Sequence, residues 1–287
     1  MVAEGYQDGG RCTEDGGIVV NEQPRQTDIS NPLNSGGVLT DTSDMQIPHS
    51  IFRGEFRRAP GMVRNVPEGD THRAGVVAGH LQFLLDSLTE HHTTEDELLW
   101  PKLHERVHAD LEPLIDVMES QHAQIHGVIE KLSSQLAAWA SDPTSARRDE
   151  LADTCESAKA ILEEHLGAEE REVLPIAARA ISQSEWDEIG ERAMGALPKD
   201  KKMLILGTIR YWAPPEQSTA VASDIPRPMR PFVTAMADRA FRKEAVAVHG
   251  TATPLPATSA GMAVPGVSHV PNRIRPCWPS SRRSDRG

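Results

Sequence analysis

The chain has 287 residues, a net charge of −12 and 38% hydrophobic residues, which allows one compact domain and argues against nucleic-acid binding by the protein as a whole. Its three cysteines, Cys12, Cys155 and Cys277, are far apart and form no CxxC, which excludes a disulfide scaffold and a thiolate metal site. No signal peptide opens the chain and no apolar run nears the roughly 18 residues of a membrane span, so a soluble, cytoplasmic protein with no membrane partner is expected.

In chain order, residues 1–44 are acidic and rich in Gly, Asn and Ser, which predicts a disordered arm. Residues 45–181 carry apolar residues at alternating steps of four and three, the seam of a helix packed in a bundle. The first seam runs Met45, His49, Phe52, Phe56, Ala59, Val63, and the second Val77, Leu81, Leu84, Leu88, His91, Glu95, Leu98. A third runs from Leu111 through Met118, His122, Ile125 and Ile129 to Trp139, and a fourth from Leu151 through Leu162, His165 and Glu169 to Ile176. The breakers "NVPEGD" at 65–70 and "SDPTS" at 141–145 separate the first pair and the last pair. Four helices on short polar loops predict an all-α, antiparallel four-helix bundle.

After the bundle, residues 182–246 predict two or three further short helices, including "SQSEWDEIGERAMGAL" and "RPFVTAMADRAFRKEAVAVHG". These predict an accessory segment that packs on the bundle or makes a homodimer contact. Residues 247–287 end in "RIRPCWPSSRRSDRG" and predict a disordered basic tail.

Every seam carries a histidine where leucine is expected, and two carry a glutamate as well. Burying an unpaired carboxylate costs several kcal/mol and an unpaired polar ring about 1 to 3, so polar residues on all four helices require a common partner. The second and fourth helices also repeat one another. "EHHTTEDELLWP" and "EHLGAEEREVLP" both place Glu four residues after His, another acid at five and Pro at ten. His91 with Glu95, and His165 with Glu169, therefore lie one turn apart on one helix face. The third helix adds His122 and His126, also four apart, and the first adds His49.

Five imidazoles and two carboxylates suit a pair of first-row metal ions. If both glutamates bridge two six-coordinate ions joined by an oxide or hydroxide, a single position stays open on the ion with fewer histidines. That vacancy has room for dioxygen, peroxide or another small diatomic and little room for a bulky substrate.

This pattern resembles the hemerythrin-like, or HHE cation-binding, family from His49 to Pro175. His49 is similar to the lone histidine of the first helix, His91 and Glu95 to the His-x3-Glu of the second, His122 and His126 to the His-x3-His of the third, and His165 and Glu169 to the His-x3-Glu of the fourth. The resemblance implies a non-haem di-iron centre in a four-helix bundle, with zinc or manganese as other ions. It further implies binding of oxygen or sensing of oxygen, iron or redox state. The family's oxygen carriers have an aspartate where this chain has Glu170, which turns the expectation from respiratory carriage toward sensing, storage or stress response, with a peroxide-removing di-iron enzyme as the alternative.

Several neighbours compete for roles. His92 lies about 100° from His91 on a helix and is expected to face solvent or support a ligand, with ligation in place of His91 as the lesser alternative. His80, eleven residues before His91, falls on nearly the same face and is a candidate extra or supporting ligand. Asp96 and Glu170 either orient histidines or stand as exposed charges. "HERVH", residues 104–108, matches the H-E-x-x-H zinc-protease string but has no strand signal nearby. A ferritin-like carboxylate oxidase is disfavoured because imidazoles dominate the seams and neither Tyr6 nor Tyr211 lies in the bundle.

Overall fold

The computed structural model describes residues 39–213, 215–223 and 225–254, and among these it is helical with no strand. The bundle consists of α1 (Gln46–Arg64), α2 (Thr71–Leu98), a short α3 (Trp100–Arg106), α4 (Glu112–Ser141) and α5 (Ser145–Ala168), which runs through a widened turn at Glu169–Val173 into α6 (Leu174–Ala180). Helix α1 packs on α5 and α2, and α4 packs on α2 and α5, closing a ring. The loops after α1 and after α4 meet at one end, where Gly69 N–H donates to Pro143 C=O at 3.1 Å, so the helices alternate in direction. Both following helices start on a side-chain cap. Asp70 accepts from Arg73 N–H at 2.9 Å, and Thr144 from Arg147 N–H at 3.4 Å.

Two apolar clusters fill the bundle. One contains Phe52, Leu88, Ile125, Leu162 and Leu166, and the other Met45, Trp100, Met118, Val173 and Leu174. Each long helix passes from one cluster to the other through its seam histidine. Met45 leads to His49 and Phe52, Leu88 to His91 and Trp100, Met118 to His122 and Ile125, and Leu162 to His165 and Val173. The polar side chains thus form one layer across the bundle, with hydrocarbon above and below. Cys155 lies within the larger cluster, where burial pushes its thiol up to about 12 and leaves it unreactive.

Four more helices follow: α7 (Gln183–Ala196), α8 (Lys202–Trp212), α9 (Pro215–Ser223) and α10 (Arg230–His249). They lie against the outer side of α1 and α2, where Ile47 and Ile51 of α1 join Leu206, Ile209 and Ala237 in a third cluster. Helix α7 opens with a capping box, Ser182 accepting from Glu185 N–H while the Glu185 carboxylate accepts from Ser182 N–H. Helices α8 and α10 approach closely at Gly207. A Cβ there would clash with Ala237 C=O and lie 2.8 Å from Phe241 Cβ. Gly207→Ala is expected to lower stability by about 1 to 3 kcal/mol through this clash, read as a lower urea midpoint.

The boundaries of the two arms differ from expectation. Most of the predicted acidic arm, residues 1–38, lies outside the described residues, but 39–44 pack on the bundle. There Thr40 N–H donates to Ala178 C=O at 2.8 Å, and Trp186 Nε1–H donates to Asp44 at 2.8 Å. At the other end, α10 runs on to His249 and buries Val248, Arg73 donates to the carbonyls of Ala247 and Val248, and Tyr211 O–H donates to Pro254 C=O at 2.8 Å. The rest of the predicted tail, 255–287, lies outside the described residues. Among the described residues no helix is long and apolar enough to cross a membrane.

Candidate metal centre

Helix α2 projects His91, His92 and Glu95 into the polar layer, α1 adds His49, α4 adds His122, and α5 with its widened turn adds His165 and Glu169. All are buried; His49, Glu95, His165 and Glu169 have 0% exposure. The side chains form two groups, His49 and His91 with Glu95 and Glu169, and His92 with His122 and His165, and the two carboxylates also face His122 and His165 of the second group. His91 Nε2 is 3.4 Å from Glu95 Oε1, while His122 Nε2 is 3.6 Å from Glu95 Oε2. On the other side, Glu169 Oε2 is 3.4 Å from His49 Nε2 and 3.9 Å from His165 Nε2. Each carboxylate therefore faces both groups. His92 stacks on His122 with ring centroids 4.2 Å apart and meets His165 at 5.1 Å.

The outer ring nitrogens are held. His49 Nδ1–H donates to Glu170 at 2.8 Å, His122 Nδ1–H to Asp96 at 2.7 Å and His165 Nδ1–H to Gln121 at 3.0 Å. Fixing the proton on Nδ1 leaves each Nε2 lone pair aimed inward, which is the tautomer a metal ligand requires. Although burial opposes it, hydrogen bonds from His49 and Arg53 hold the Glu170 carboxyl at about 2, so it accepts as an ion. Arg53 grips that carboxylate through two bonds of 2.6 and 3.0 Å. Asp96 and Glu170 are thus orienting groups rather than stray surface charges.

His49 Nε2 and His91 Nε2 lie 3.2 Å apart and share a hydrogen bond, but the other inner atoms lack partners. Both oxygens of Glu95 and Glu169, and Nε2 of His92, His122 and His165, are buried with no hydrogen bond. Each such group costs about 1 to 3 kcal/mol when left unsatisfied. Burial and the neighbouring Glu169 push the Glu95 carboxyl well above its ordinary range. Burial, then adjacent imidazoles, push His91 and His92 well below theirs, and His165 falls to about 3. A buried set of inward-facing ring nitrogens and carboxyl oxygens, most of them without a hydrogen-bond partner, fits cations, and a mixed set of this kind suits first-row divalent metals.

His49, His91, Glu95, His122, His165 and Glu169 come together as the seams lead one to expect. His126 does not: its side chain is 61% exposed and 3.7 Å from Glu130 on the outer face of α4. His92 fills the inner place instead. The reason is helical phase. Ile125 continues the seam from His122 and is buried, so His126, one residue on, is turned about 100° away. His92 follows Leu88 by four and precedes Leu99 by seven, both buried, which puts it on a wide inner stripe beside His91. That signal was present in the sequence.

The remaining candidates lie elsewhere. His80 is 3.2 Å from Glu55 and 3.5 Å from Glu244, beside His249, away from the centre. For "HERVH", α3 ends at Arg106 and Val107 is extended, so His104 and His108 do not share a helix turn and the zinc-protease pair is not formed.

The repeat seen in the sequence has a structural counterpart. Pro101 and Pro175 each begin a short helix just past the ligands, and each lacks the N–H that would continue the preceding one. After α2 the chain breaks at Leu99. After α5 it widens, with Leu174 N–H reaching back to Glu169 C=O. Such wide turns are rare and concentrate at functional sites. Here it lets adjacent residues work on two levels, Glu169 against the inner nitrogens and Glu170 against the outer nitrogen of His49.

Comparison with known protein families matches residues 42–177 to the Hemerythrin HHE cation binding domain. Comparisons with curated proteins and with solved structures return no match. The matched span begins just before α1 and ends within α6, and so contains every member of the polar layer. Residues 42–177, a little under half of the chain, are thus similar to the hemerythrin HHE cation-binding domain, and the buried His/Glu clusters within them point to metal binding.

Proposed function

We propose that the polar layer holds two iron ions and that the pair binds dioxygen or a related small oxidant, in oxygen, iron or redox sensing, storage or stress response. One observation carries this reading: the donor set is unequal, with three imidazoles on one side of the shared carboxylates and two on the other. Counting donors leaves the His49/His91 half short, and the small oxidant belongs there. Mixed nitrogen and oxygen donors suit iron, manganese or zinc, and the resemblance to hemerythrins selects iron, which would supply reversible redox chemistry.

The protein's own groups shape the rest. Glu170, Asp96 and Gln121 keep the Nδ1 protons in place, so the inner nitrogens stay as acceptors and do not reorient. The two apolar clusters flank the layer and shield most of it from solvent. Phe52 lies 5.5 Å from the His91 ring and covers the half with fewer donors.

The test is spectroscopic. Iron-loaded protein, reduced without air and then exposed to dioxygen, is expected to develop visible absorption that fades on degassing and returns on re-exposure. Irreversible oxidation without that cycle, or sustained consumption of added peroxide, would replace reversible binding with peroxide removal.

A further inference from the structure

Between the outer side of α1 and α2 and the helices α7, α8 and α10 lies a cavity of about 250 Å³. The space is partly open to the surface, which gives a small molecule a way in, and its volume is well above that of a benzene-sized pocket. Its wall is mostly apolar, with Ile51, Phe52 and Leu84 from the bundle facing Ile189, Leu206 and Phe241 from the added helices. It touches His91, in the group with two imidazoles, and it also touches Glu55, His80, Glu244 and His249.

The polar side chains of that second group answer one another. Glu55 Oε2 is 3.2 Å from His80 Nε2 and 3.9 Å from His249 Nε2, Glu55 Oε1 is 3.8 Å from Arg58, and Glu244 is 3.5 Å from His80 Nδ1. A charged occupant would have to displace these pairs, whereas a neutral one would not. Size argues in the same direction. A dry apolar cavity of roughly 150 Å³ is enough for benzene, so this one exceeds the needs of a diatomic gas by a wide margin. More than half of its wall lies beyond residue 177, outside the matched domain, so the cavity is a feature of this chain's added helices.

We propose that this cavity binds an uncharged, mainly apolar organic molecule of about ten non-hydrogen atoms, with one polar group toward the Glu55–His80–His249 corner and its body beside His91. The binding claim stands on the cavity alone and does not require the centre to hold metal.

Calorimetric titration of the full chain with indole and with 1-octanol, metal-free and iron-loaded, tests it. Saturable binding of at least one probe, one molecule per chain, is expected in both forms. Ala193→Trp and Ala245→Phe, each adding bulk to the wall, are expected to weaken it at least tenfold. Should either variant fail to fold, the wild-type melting temperature decides: it is expected to rise with probe concentration, because a ligand that binds only the folded state stabilises it. Neither probe binding saturably nor shifting the melting temperature would overturn the proposal, as would binding that the folded, filled variants retain.

Discussion

His92→Ala is expected to weaken metal binding by roughly 100-fold or more, while His126→Ala leaves it unchanged. Removing a group that only supports a ligand already costs about 10- to 100-fold in affinity, and losing a direct donor exceeds that. His92 is buried, its Nε2 lacks a partner, and it stands against His122 and His165. His126 is exposed and its ring neighbours Glu130 instead. The comparison is sharp because both residues are histidines beside another histidine-bearing turn, and spacing alone favours the wrong one. Metal content after dialysis against a weak chelator reads the result. Equal retention by the two variants would contradict the placement of His92 in the centre.

Acid is expected to destabilise the metal-free protein strongly between about pH 6.5 and 3. Burial and neighbouring rings keep His91, His92 and His165 neutral in the fold, His165 down to about 3. In the unfolded chain these rings take up protons below about 6.5. Because the folded pKa is the lower one, the stability they contribute is complete above the unfolded value and is lost as pH falls through the folded value. For His165 alone the shift corresponds to several kcal/mol at most. Glu95 acts the other way. Burial and Glu169 raise its pKa, so its contribution is complete below about 4.5 and fades as pH rises. One carboxyl opposes three rings, so the rings set the sign. Urea midpoints of metal-free protein are expected to drop steeply from about pH 7 to pH 5, and bound metal is expected to flatten the curve until protons displace it. A midpoint independent of pH across that interval would contradict the buried, neutral rings.

Much of the architecture was legible in the sequence because helical phase is a strong signal. The four seams, the breakers at 65–70 and 141–145 and the polar layer all follow from apolar spacing. Errors arose where a second periodicity ran beside the first. Ile47 and Ile51 make α1 apolar on two faces, one for the bundle and one for α8, and reading a single seam does not show which face of the bundle the added helices cover. Likewise, α2 carries a wide stripe that takes in both His91 and His92, whereas the spacing His-x3-His on the third helix drew His126 inward against the phase of Ile125. The widened turn at Glu169–Val173 was visible only as a proline in register with Pro101. Its consequence, adjacent glutamates on inner and outer nitrogens, depends on backbone geometry that residue spacing does not encode. The cavity was not legible either, since it arises from how α7, α8 and α10 stand off from α1 and α2.

The most direct test of the central claim is the metal-to-protein ratio of chain produced in iron-fed cells, measured beside Glu95→Ala. The paired carboxylates that face both imidazole groups predict two ions per wild-type chain and a loss of both when the shared Glu95 is removed. One ion or none in the wild type, or a ratio that Glu95→Ala leaves unchanged, would contradict a two-ion centre in this layer.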